Sequence, residues 1–355
     1  MAIENINGIA DAVAPEIQSN LVDLAQQPMI EGVTELDDGS AIVGEMQMEA
    51  EAPIAIPFDA NLAEHIDEDV LSEISNEIIG NIEDDTNSRS DWEEQYKGGL
   101  ELLGMSYEDR SEPFEGASGI VHPLLAESVT QFQAQAYREM LPAGGPVKTA
   151  IIGAETPETS AQAERVKNYM NYQITYEMEE YDPELDQMLF YLPIVGSAFK
   201  KVYFDPTMQR AVSKFVHSED LIVPYSATDL ATATRITHCI RMDKNEIKKL
   251  QLSGFYKDID LPSSGADSDG MSDVKDTINE IEGITSSSSQ NEEMMIYEVH
   301  TDLDIEGFQD IGADGEPTGL KMPYIVTIME DTGDVLSIKR NFNESDPLRR
   351  KVPYF

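Results

Sequence analysis

The chain reads as an α+β protein in which helices come first and antiparallel strands follow. Three observations predict this. Between residues 87 and 195, apolar side chains recur at the three-to-four-residue spacing of amphipathic helices. After Gly196 the period falls to two, the alternation of half-buried strands. Ahead of both, residues 1–88 hold 21 Asp or Glu and no Lys or Arg, which sets this stretch apart from the body.

Residues 1–80 read as an acidic arm. Prolines interrupt its apolar runs, as in residues 50–57 (AEAPIAIP). Repulsion between carboxylates opposes collapse, so the arm is expected to be mostly disordered. Within it, Ile66, Val70, Leu71, Ile74 and Ile78 are spaced to form one short helix able to dock on another surface.

The α+β core is expected over residues 81–262. Its first helix opens on a capping box, Ser90 with Glu93, carries Trp92, Tyr96, Leu100 and Leu103 at helical spacing, and stops near Gly104. A second helix places Leu125, Val129, Phe132, Ala136 and Met140 on one face and ends before residues 141–145 (LPAGG). Two further helices start by one logic. Thr156-Pro157-Glu158 and Asp182-Pro183-Glu184 each supply a cap, a proline whose missing amide costs nothing there, and an acid near the helix dipole. The first of these runs over 158–178 with a stripe of Val166, Tyr169, Met170, Ile174 and Met178, and the second over 182–195.

Strands are expected at 202–204, 212–216 and 236–240, with Asp205-Pro206 in the first turn, followed by a helix from Asp243 to Gly254. Residues 263–292 are rich in Ser, Asp and Gly and read as a flexible loop. A β-rich region then occupies 293–355, with a strand at 294–303 and a hairpin of 324–329 with 335–340.

Charge and composition exclude several classes of function. The formal net charge is −44; residues beyond 88 hold 47 acidic and 24 basic groups. Counterion release, which drives nucleic-acid binding, needs clustered Lys and Arg. Tight DNA binding is therefore not expected, whereas an acidic wall that lets DNA slide is physically reasonable. Cys239 is the single cysteine and reads as a small core hydrophobe, so no disulfide framework exists and a reducing compartment is expected. Met1 is followed by Glu4 and Asp11 rather than a basic region, and no apolar run approaches the roughly 18 residues of a membrane helix.

The motifs that imitate chemistry have simpler explanations. Asp331-Thr332-Gly333 is the triplet of aspartic proteases, but Glu330 and Asp334 flank it, which suits a solvated hairpin tip. Asp302, Asp304 and Glu306-Gly307 copy the first half of an EF-hand loop, yet the twelfth position is Ala313 rather than a bidentate Glu. His65, His122, His217, His238 and His300 lack metal-ligand spacing, and His238 reads as a satisfied core histidine beside Ile236 and Ile240. No nucleophile elbow and no Walker loop occurs. No catalytic, cofactor-binding or metal-binding residue is expected, and the protein is read as a non-enzyme.

One family is similar in the order and spacing of these parts. The helix pair of 87–145, the helices of 158–178 and 182–195, and Gly196 leading into residues 197–204 (SAFKKVYF) are followed by 217–224 (HSEDLIVP), 227–230 (ATDL) and 235–241 (RITHCIR). This succession resembles the portal proteins, or head–tail connectors, of tailed bacteriophages, in the form found in short-tailed phages. The resemblance covers residues 87–355.

It implies a portal wing domain of helices and antiparallel sheet, completed by the strands of 293–355. It also implies a homo-oligomeric ring, a dodecamer, at one capsid vertex of the virion, made in the host bacterial cytoplasm. Double-stranded DNA would pass through without tight or specific binding, driven by a separate terminase. Capsid, scaffolding and tail adaptor proteins would be the other partners. In that family the chain continues into stem helices and a clip, so these 355 residues read as an N-terminal portion. Trp92, Phe132, Tyr169, Met170 and Leu189 are the expected core or subunit-interface anchors. The alternatives are an acidic scaffolding or adaptor protein, and a hydrolase using the loops of 302–334.

Overall fold

The computed structural model describes residues 33–35, 41–43, 56–103, 114, 116, 122–205, 208–262, 293–312, 316–347 and 349–355. The chain divides into two units, Met1–Ile56 and Pro57–Phe355. In the first, Val33–Glu35 (β1) and Ala41–Val43 (β2) pair antiparallel, Val33 opposite Val43. The rest of the expected arm up to residue 55 lies outside the described residues, as does the expected loop of 263–292.

The folded body starts earlier than the sequence predicts. Residues 57–80, expected to belong to the arm, are packed into it. Asn61 caps a 3-10 turn, Leu62–Glu64, by accepting the Ala63 amide at 3.1 Å, and Leu62 and Ala63 are fully buried. The docking helix is longer than expected: Glu68–Ser88 (α1) buries Leu71, Ser75, Ile78, Ile82 and Asp85 at alternating spacings of four and three. Glu68 and Asp69 sit in its first turn, where the helix dipole favours acids.

Arg89 separates α1 from Ser90–Leu103 (α2). The expected capping box is not formed, because Ser90 follows directly on a helix and Glu93 pairs with Arg89 at 2.8 Å. The guanidinium of Arg89 also donates to the carbonyls of Ser218, Glu219 and Leu221, at 3.3, 2.8 and 3.3 Å. The break between the two helices is thereby tied to the turn that precedes the main sheet.

Three helices follow: Leu124–Met140 (α3), Pro157–Tyr172 (α4) and Tyr181–Val195 (α5), with a π-helical turn over Gln173–Glu177. α5 stops where expected, at Gly196, whose φ of +86° suits a residue without a Cβ. The start of α5 differs from expectation. Asp182 makes no cap and instead accepts the Tyr137 hydroxyl at 2.5 Å.

The strands fall into two sheets. Phe199–Asp205 (β3) and Arg210–Val216 (β4) form an antiparallel pair, Phe199 opposite Val216 and Asp205 opposite Arg210. The outer edge of β4 is closed by α5 and the residue before it: Glu180 accepts the Ser213 amide at 3.3 Å and Glu184 the Phe215 amide at 2.6 Å. Tyr96 and Leu100 of α2 and Tyr191 of α5 form the core beneath, with Trp92, Phe190, Ile194, Val195 and Phe215 against them.

The second sheet has five antiparallel strands in chain order: Leu221–Ile222 (β5), Ile236–Asp243 (β6), Glu293–Leu303 (β7), Met322–Met329 (β8) and Val335–Arg340 (β9). Lys244–Leu252 (α6) covers one part of it, where Ile247, Tyr256, Met294, Ile296, Met329 and Leu336 are buried together. Each such side chain taken from water contributes about 1.5–3 kcal/mol. α1 packs on both edge strands, β5 and β9. The β9 edge is also closed by Asn61, which accepts the Ile338 amide at 3.0 Å and donates to the Leu336 carbonyl at 3.0 Å, as a neighbouring strand would.

Candidate functional site

Two places concentrate side chains that fold stability alone does not explain. The first is the helical region around α4. Its N-terminus forms as expected: Thr156 accepts the Thr159 amide at 3.2 Å, and Thr159 returns the bond to the Thr156 amide at 2.9 Å. Yet no residue of α4 is buried.

The five anchors expected from sequence separate here into two groups. Leu189 of α5 is core, 2% exposed, and Trp92 is half-buried, stacked on Tyr96 at 5.5 Å. Phe132, Tyr169 and Met170 are 42%, 60% and 41% exposed, so among the described residues they stand outside the core. The apolar stripe of α3 is only partly covered: Val129 is buried, Leu125 and Ala136 are half-buried, and Phe132 and Met140 are exposed.

Beside α4 lies an open groove of about 850 Å³, lined in part by Tyr137, Leu141, Pro142, Tyr172 and Tyr176. Its rim is held by Asn171. That side chain accepts the Val147 amide at 2.9 Å and donates to the Val147 carbonyl at 3.2 Å, pinning residues 141–147 to the helix. Gly145 fits only because it lacks a Cβ: its φ is +91°, and an added Cβ would meet the Asn171 amide at 2.5 Å.

The second place is a polar centre where β3 meets the main sheet. Glu298 Oε1 of β7 accepts from Lys201 Nζ of β3 at 2.6 Å and from the Tyr354 hydroxyl at 2.8 Å, and lies 3.1 Å from His300 Nε2. Asn341 Nδ2 lies 3.2 Å from the other ring nitrogen of His300. Burial pushes the Glu298 carboxyl up, but the His300 hydrogen bond and the Lys201 charge together outweigh it and hold it well below the usual carboxylate range. Burial and the adjacent Glu298 charge push the Tyr354 hydroxyl up.

His238 of β6 stands edge-on to Tyr354 at 5.7 Å. Among the described residues its Nδ1 has no hydrogen-bond partner, where the sequence predicts a satisfied core histidine. Burial, with the Lys201 charge, pushes it down to about 4. Sequence reasoning missed this centre. Its members are spread from residue 201 to residue 354, and no short-range pattern joins them.

The acidic loops are accounted for by ordinary contacts. Asp331-Thr332-Gly333 forms the β8–β9 turn, with Asp331 and Asp334 exposed and Gly333 at φ +71°. Asp302 pairs with Arg350 at 2.8 Å, and Asp310 accepts the Thr318 hydroxyl at 2.8 Å. Among the described residues no group of three or more His, Cys, Asp or Glu side chains is placed to hold a metal ion, and no helix is long and apolar enough to cross a membrane. The chain matches no protein-family model and no curated protein.

Proposed function

We propose that this chain is a subunit of a bacteriophage portal, the ring at one capsid vertex through which DNA is packaged and ejected and to which the tail attaches. The observation that carries the reading is α4. It is a 16-residue helix with no fully buried residue among those described, yet it holds Val166, Tyr169 and Met170 at the spacing of one apolar face. An isolated helix of this length is marginal in water. A second copy of the chain covering that face supplies the missing burial, and a head-to-tail contact that closes makes a ring.

Charge supports the same surface. Two copies of a chain carrying −44 repel each other over most of their surface. Residues 124–176 hold five acidic and four basic side chains, so copies meet there at small Coulombic cost. Phe132 and Met140 of α3, both exposed, add apolar area in that stretch. The acidic remainder suits a wall past which DNA slides, with a separate terminase supplying the force. The order of helices and strands that resembles the portal wing supports the reading independently of charge.

Negative-stain microscopy of the full chain tests it. Closed rings with a central hole are expected. Particles of monomer size only, at every protein concentration tried, would overturn the proposal.

A further inference from the structure

A two-stranded hairpin is marginally stable in water; β3–β4 rests on α5 and α2, and its Phe199 and Val216 reach the apolar cluster of Leu221 and Ile236. Its β3 edge is lined by residues 353–355. The Lys200 amide donates to the Phe355 carbonyl at 2.8 Å, the Phe355 amide returns to the Lys200 carbonyl at 2.9 Å, and the Val202 amide donates to the Pro353 carbonyl at 2.8 Å. Residues 353–355 thus lie antiparallel along β3 as a short bridge, with Tyr354 opposite Lys201.

The same short segment is fastened to the five-stranded sheet. Arg350 donates to the carbonyls of Ala233 and Thr234, at 2.6 and 3.2 Å, and pairs with Asp302 of β7 at 2.8 Å. The Lys351 amide donates to the Asn341 carbonyl at 3.0 Å. Glu298 Oε1 is the point where all three parts meet, since it accepts from Lys201 of β3 and from Tyr354 of the segment while belonging to β7. Tyr354 and the half-buried Val352 pack with Val216 and Phe199 of the hairpin against Leu221, Ala233 and Ile236, while Arg349, Lys351 and Phe355 are exposed.

We propose that residues 349–355 are a clasp coupling the β3–β4 hairpin to the five-stranded sheet, with the Glu298 carboxylate as its catch. Three donors on one oxygen make closure depend on a single charge. Losing that charge leaves Lys201 half-buried without its carboxylate and Tyr354 without its charged acceptor, so the segment and the β3 edge separate together. β3 then keeps its pairing with β4, and the hairpin its contacts with α5, but its tie to the sheet is reduced to the apolar cluster of Phe199 and Val216 with Leu221 and Ile236. Gly196 before β3 and the turn of 217–220 after β4 are the covalent links left at its base.

Hydrogen exchange resolved to single amides in the full chain tests this. Glu298→Gln keeps the shape and removes the charge. Exchange at Lys200, Val202 and Phe355 is expected to accelerate about tenfold or more. The amides of Lys201 and Tyr203, which alternate toward β4, and those between β7 and β8 should keep their rates. Lys201→Met should give the same pattern. Unchanged rates at Lys200 and Val202, or an equal rise at all these amides, would overturn the clasp. The unsubstituted chain provides a check that needs no variant: the three clasp amides should exchange faster than the β7–β8 amides. Equal protection would make the segment ordinary core and overturn the proposal.

Discussion

Leu189 and Tyr169 carry comparable apolar surface on successive helices, yet their surroundings assign them opposite roles. Leu189 is enclosed; Tyr169 faces outward. Leu189→Ala removes buried methyl groups and leaves a cavity, so it should lower the unfolding free energy by about 2–5 kcal/mol. Tyr169→Ala should change it by no more than about 0.5 kcal/mol, as expected of an exposed site away from caps and core. Urea denaturation of the unassembled chain measures both. A large loss from Tyr169→Ala would mean that α4 packs on its own chain.

His238 gives a second prediction at the same scale. Its folded value of about 4 lies below the ordinary histidine value near 6.5, because burial and the Lys201 charge oppose protonation. Between these two values the unfolded chain binds a proton that the folded chain refuses. Stability therefore falls as the pH drops through this window, and is unaffected by this group above it. His238→Leu should remove about 1–2 kcal/mol of the loss between pH 7 and pH 5. Denaturation midpoints at the two pH values, in wild type and variant, decide the matter. An identical pH slope in both would contradict it.

At the scale of elements, the ends of helices and the edges of strands explain what was legible in the sequence. The Thr156-Pro157 cap and the Gly196 stop depend on residues within a few positions, and both formed as expected. The period-two runs after Gly196 are local too, and every strand expected from them formed, most of them longer. The two failed caps have non-local causes. Asp182 is occupied by Tyr137, 45 residues away in sequence, and Glu180 and Glu184 turn to the β4 edge rather than to the helix dipole. Ser90 reads as a helix start only if α1 is not seen to run up to it.

The arm boundary was misplaced for the same reason. What makes residues 57–64 part of the body is the Asn61 contact with Leu336 and Ile338, 275 and 277 positions on. This contact is testable. Asn61→Leu removes the acceptor of the Ile338 amide and leaves a buried donor unpaired, which should cost about 1–3 kcal/mol. Limited proteolysis should then cut the variant beyond residue 56, while the unsubstituted chain resists cleavage between 57 and 88. Equal resistance in the two would show that α1 alone holds this region.

At the scale of the whole molecule, apolar surface and charge are distributed in a way that points outward from one region. The five-stranded sheet has its edges covered by the chain itself, and the β4 edge is closed by carboxylates, so strand-to-strand pairing between copies is discouraged. Among the described residues the α4 face has no such cover. The groove beside it was not legible in advance, because the Asn171–Val147 clamp that shapes it joins a helix to a loop. Leu189 was readable as core because helical periodicity reports burial. The same periodicity also flagged Phe132, Tyr169 and Met170, since it marks an apolar face without saying which molecule covers it.

The proposed ring places the α4 face between copies of this chain. Native mass spectrometry of the unsubstituted chain beside a Tyr169→Asp, Met170→Asp double variant measures it most directly. The predicted result is one dominant oligomer of fixed copy number for the unsubstituted chain, and monomers for the variant with unchanged folded-state stability. An unsubstituted chain that stays monomeric, or a variant that forms the same oligomer in the same yield, would contradict it.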